Sequence, residues 1–180
     1  GNRADVCYFV GSSLVCTDDR DAAVPWFKRG ITADPTFRIN LWALGHAMIH
    51  ARSTKEADPE RKSHIMKTAE KHLWQYIKQG VPEDKERSDA LYELVYVAMF
   101  SSNFQEACLR LEMAIEADIR RTEIYNQPSD NYAKQWLLVQ AIQREEFLKG
   151  TGAVQKNESK ALFLFYDTLQ TKLCGNSFLI

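Results

Sequence analysis

Val10-Gly11 and Leu44-Gly45 stand 34 residues apart, and each opens a segment that later carries an alanine followed four residues on by a large apolar side chain. The followers are Ala23-x-x-x-Phe27 after the first dipeptide and Ala69-x-x-x-Leu73 after the second. A fixed period between about 20 and 50 residues is the mark of stacked supersecondary units, each too small to bury its apolar face without a neighbour. The four-residue step puts alanine and its large partner on one face of a helix. Small residues at Gly11, Ala23 and Gly30 then let two antiparallel helices approach, while Phe27 fills the space beside them.

The register can be followed along the chain. In the first unit Cys7-x-x-Val10-Gly11-x-x-Leu14 leads to Ala23-x-x-x-Phe27, and Pro35 stands where it stops a second helix. The second restarts at Leu41-x-x-Leu44-Gly45-x-x-Met48 and closes at Pro82. Gly45 to Ala69 spans 24 residues where Gly11 to Ala23 spans 12, which marks an insertion. The polar run Ala51 to Asp58 is the place for it, as a loop entering a helix with Pro59 at its first position. The third unit reads Leu91-x-x-Leu94-Val95-x-x-Ala98 and then Ala107-x-x-x-Leu111-x-x-Ala114, with Val95 in place of glycine. A connection from Asp118 to Pro128 follows. A helix capped by Ser129-Asp130 runs to Leu148, and a last one capped by Asn157 carries Ala161-x-x-x-Phe165.

These motifs resemble the tetratricopeptide repeat (TPR), whose pattern W-x-x-L-G-x-x-Y…A-x-x-x-F…P has the same 34-residue period. The resemblance implies an all-α fold, a right-handed α-solenoid of about four helix-turn-helix units. The chain is then one domain, 1–180, with units at about 4–37, 38–83, 88–121 and 129–173.

Composition excludes several functions. The apolar share is 45% and the charged share 26%, as in folded globular chains. Lys and Arg number 23 against 24 Asp and Glu, so no net field draws the chain to nucleic acid or an anionic membrane. The basic residues of 59–80 (Arg61, Lys62, Lys67, Lys71, Lys78) alternate with Glu60 and Glu70, as on a solvated face. No nucleic-acid partner is expected. No apolar run approaches the roughly 20 residues of a membrane span, and the opening on Gly1 rather than Met fits a piece of a longer protein. Cys7, Cys16, Cys108 and Cys174 form no C-x-x-C pair and read as small core residues in a reducing compartment. The cytoplasm follows, or the cytosolic face of an organelle.

No phosphate loop, nucleophile elbow or acid pair with a supporting histidine appears. Asp18-Asp19 and Glu145-Glu146 are adjacent and point apart. The chain is therefore expected not to be an enzyme and to need no cofactor. His46 and His50 share a helix face but lack the glutamate of a zinc protease and a third ligand at spacing, so no metal is expected there.

The TPR resemblance implies a site instead, because that family lines its concave groove with the first helix of each unit. In register, the groove residues are Tyr8 and Ser12, with Val15; Trp42, His46 and Ile49, with His50; and Tyr92, Tyr96 and Met99, with Phe100. Where some members use Lys and Asn to clamp a chaperone's terminal carboxylate, this chain has Ser12 and otherwise rings. Rings offer large contact area at low conformational cost, which points to a protein or peptide partner with apolar anchors. The same stripe is also what core packing would give, and a scaffold or self-associating homo-oligomer is the alternative function. The tail Cys174 to Ile180 is a candidate for filling the groove or covering the last pair.

A second resemblance covers 36–153. Phe37-x-x-x-x-Trp42-Ala43-Leu44, Lys85-Glu86-Arg87-Ser88-Asp89, and Asp130-Asn131-Tyr132-Ala133-Lys134 running to Gly150 are similar to the cytosolic domain of the mitochondrial fission one adaptor. That family has two units and a C-terminal anchor. This chain adds a unit before them and continues past Gly150 with Lys156-Asn157-Glu158-Ser159-Lys160.

Overall fold

The structure, a computed structural model, describes residues 3–53 and 55–125. These residues are helical, with no strand among them: α1 (Ala4–Cys16), α2 (Arg20–Ala33), α3 (Ile39–Ala47), a π-helical turn Met48–Ser53 continuing α3, α4 (Pro59–Gln79), α5 (Arg87–Phe100) and α6 (Phe104–Tyr125). The chain divides into two compact units between Val81 and Pro82. The first holds α1 to α4, and the described part of the second is the α5–α6 pair. The fourth repeat expected at 129–173, with its helix from 130 to 148, and the tail lie outside the described residues.

In the first unit α1 packs on α2, α3 on α4, and α3 also meets both α1 and α2. The repeated motif sets how the helices of each pair meet. A β-carbon on Gly11 would lie 2.5 Å from Phe27 Cε1, and one on Gly45 would lie 2.7 Å from Leu73 Cγ, both closer than side chains come. The two glycines thus face the large residues of the two A-x-x-x-large motifs, and Phe27, Ala69 and Leu73 are fully buried. One polar residue belongs to this core. Asn40 is fully buried and its Nδ2 donates to the Ala4 carbonyl at 3.1 Å, so α3 is fastened to the first turn of α1.

A repeat that composition hides appears in the turns. After α1, the Asp18 N–H donates to Val15 O at 3.0 Å and the Asp19 N–H to Leu14 O at 2.8 Å. After α5, Ser102 N–H donates to Met99 O at 2.9 Å and Asn103 N–H to Ala98 O at 3.0 Å. Both are Schellman caps, which need a left-handed residue just past the helix. Asp18 (φ 62°) and Ser102 (φ 55°) supply it, the two non-glycine residues with positive φ among those described. The next residue caps the following helix in each case. Asp19 Oδ1 accepts from Ala22 N–H, and Asn103 Oδ1 accepts from Glu106 N–H, each at 3.3 Å. The first and third helix pairs therefore share a turn at every backbone bond.

The insertion in the second pair is not the simple polar loop that its composition suggests. Ala51 to Ser53 complete the π turn, and α4 begins at Pro59 with Asp58 as its cap, Oδ1 accepting from Glu60 N–H at 3.0 Å. Ala23 is the fourth residue of α2, whereas Ala69 is the eleventh of α4. The additional residues thus lengthen a helical hairpin, and the π turn packs on α4. Ile49 and Ala51 are buried in that extension.

The second unit corrects another expectation. Residues 118–125 are not a connection; α6 continues through them. Polar ties to the preceding residues explain why. Arg110 donates through Nη1 to Leu94 O at 2.9 Å, the Tyr92 hydroxyl to Asp118 Oδ2 at 3.3 Å, Arg121 Nη1 to Asp89 Oδ2 at 3.2 Å, and the Tyr125 hydroxyl to Glu83 O at 3.0 Å. These four contacts run in antiparallel order along the pair. The spacing 107, 111, 114, 118 continues the inward face of α6, with Asp118 fully buried where an apolar residue would ordinarily stand. The cysteine reading also needs one change: Cys7 and Cys108 are buried, but Cys16 is exposed because it ends α1 on the outward face of Val6, Phe9 and Ser13.

Candidate functional site: the ring stripe of the third helix

α3 and the π turn as far as Ala51 are buried on nearly every side. Asn40, Leu41, Ala43, Leu44, Gly45, Ala47, Met48, Ile49 and Ala51 are all enclosed, while Ile39, Trp42, His46 and His50 are half-buried. Positions 42, 46 and 50 fall at four-residue steps, so the helix shows one narrow face and fills it with rings. The Trp42 and His46 rings stack at 5.7 Å between centroids, 23° apart in plane, and the His46 and His50 rings follow at 4.5 Å. Trp42 Nε1 is enclosed and has no hydrogen-bond partner among the described residues. An unmade hydrogen bond on a buried donor costs on the order of 1–3 kcal/mol, so the ring is held in place by packing.

The other residues expected at the groove are distributed differently. Tyr8 is half-buried, its ring 5.7 Å from Phe9, 6.4 Å from Phe27 and 6.3 Å from Phe37. Ser12 and Val15 are half-buried on the same helix. Ile49 is fully buried and belongs to the core of the hairpin. In the second unit Tyr96 (40% exposed) and Phe100 (37%) face outward and Met99 is half-buried. Tyr92 is 5% exposed. Its phenol is pushed well above its ordinary pKa, first by burial and then by the negative charge of the Asp118 carboxylate that accepts its hydrogen bond. The stripe of α5 is accordingly Asp89, Glu93, Tyr96 and Phe100, half acidic and half aromatic, where that of α3 is almost wholly aromatic.

Ile39, Asp89 and Glu93 extend the two stripes beyond the groove positions expected from sequence. The available signal was the three- or four-residue step from Trp42 back to Ile39 and from Tyr96 back to Glu93 and Asp89. The arrangement offers flat apolar contact area with polar ring edges, which suits holding a side chain or a helix face. No protein-family model matches the sequence, and no curated protein matches it.

Proposed function

We propose that the protein is a non-enzymatic adaptor of the tetratricopeptide-repeat kind, a right-handed α-solenoid that holds a peptide or helix with apolar anchors against the ring-bearing faces of its first helices. The observation that carries the reading is the α3 stripe, where an otherwise enclosed helix leaves Trp42, His46 and His50 half-open. The glycine contacts of the first two pairs and the shared turn of the first and third support the repeat register. No helix among the described residues is long and apolar enough to cross a membrane. A cytoplasmic setting accompanies the reading.

The test is affinity capture followed by mass spectrometry with the parent chain, Trp42→Ala and Tyr96→Ala, each checked for unchanged helicity. The adaptor reading expects at least one captured protein to be lost from each variant. Folded variants that capture every partner as the parent does would remove the rings from the site. Self-association is a second reading, favoured by the outward face of α1, where Phe9 is 66% exposed and Val6 42%. Sedimentation at two concentrations separates it, because a strictly monomeric particle excludes it.

A further inference from the structure

His46 and His50 invite a metal. Spacing alone is unspecific, but the ring geometry adds three observations. A nitrogen of one imidazole lies within 4.8 Å of a nitrogen of the other. Two zinc–nitrogen bonds of about 2.1 Å meeting at a tetrahedral angle need nitrogens roughly 3.4 Å apart, so small side-chain rotations close the pair around an ion. The Trp42 ring stacked on His46 limits how that imidazole turns, and groups that fix the orientation of a histidine ring favour its use as a ligand. Between the two histidines the winding changes from α to π at Met48, and single π turns recur at functional sites because they re-aim side chains.

We propose that His46 and His50 form a two-imidazole site for a borderline divalent cation, of which zinc is the representative. Neutral imidazole suits zinc, nickel and copper better than it suits magnesium or calcium. The two imidazoles supply two of the four positions that such an ion ordinarily takes. The site goes beyond the adaptor reading and does not depend on it.

Zinc chloride alone, titrated calorimetrically into the chelator-treated full chain near neutral pH, is the direct test. The expected result is one zinc bound per chain, at least tenfold weaker in His46→Gln and in His50→Gln and unchanged in His64→Gln and His72→Gln. Equal binding by the parent and both site variants, or no binding by the parent, overturns the proposal. Should a site variant unfold, imidazole NMR of the parent decides. Zinc must move the His46 and His50 signals together, and zinc that moves only other histidines refutes the site.

Discussion

Gly11 and Phe27 give the sharpest handle on how this chain packs. A methyl group added at Gly11 would meet Phe27 Cε1 at 2.5 Å, Cζ at 2.8 Å and Cδ1 at 2.9 Å. Overpacking of this kind costs about 1–3 kcal/mol, against which alanine regains roughly 0.5–1 kcal/mol of helix propensity over glycine. Gly11→Ala is thus expected to destabilise by about 1 kcal/mol. Phe27→Leu opens a small cavity at a buried site and costs about 1–2 kcal/mol by itself. It also removes the ring atoms that the new methyl strikes, so the double variant keeps the propensity gain without the collision. Its destabilisation should fall below the sum of the two single values by about 1–2 kcal/mol. The assay is urea unfolding of the four proteins of the cycle, followed by far-ultraviolet circular dichroism. Additivity to within about 0.5 kcal/mol would refute the contact. The same cycle at Gly45 and Leu73, with alanine at both, should rescue less completely. There the Ala69 carbonyl stays 3.3 Å from the new methyl whatever residue 73 is.

Two further outcomes follow from the turns and from one histidine. Ser102→Gly removes a side chain from a left-handed position and should stabilise by up to about 1 kcal/mol in thermal melts, whereas Ser102→Val should destabilise. His72 is half-buried, and desolvation, then the Lys71 and Lys28 charges, hold its pKa below the ordinary imidazole value. The unfolded chain therefore binds its proton more readily, so the His72 contribution is present above about pH 6.5 and is lost as pH falls toward the lowered native value. His72→Gln should flatten the stability profile through that window, and an unaltered slope in urea titrations across it would show the effect absent.

The helix pairs were legible because their signals are local and strong. The Ala-x-x-x-large spacing located the contacts of Gly11 and Gly45, and Asp58-Pro59 gave the start of α4. The turn after α1 was hidden because its left-handed residue is Asp18 rather than the glycine by which such caps are recognised. The continuation of α6 was hidden for a related reason. Asp118 and Arg121 read as linker polarity, yet they sit on the inward face and are tied to Tyr92 and Asp89. At the site, the four-residue steps of Trp42, His46 and His50 found the open stripe, and the same register carried Ile49 and Tyr92 inward. The register fixes a helical angle, but which angle is open depends on what else packs there, and for Tyr92 that is the far end of α6.

The lengthened hairpin of the second pair carries one more meaning. Its added turns lie beyond the Gly45–Leu73 contact, and α4 buries nothing before Met66. The two sides of that extension differ: the π turn is seated, with Ile49 and Ala51 buried and contacts to both α2 and α4, whereas the first two turns of α4 stand clear of the core. Changes in length confined to the start of α4 therefore leave the register of everything beneath it untouched.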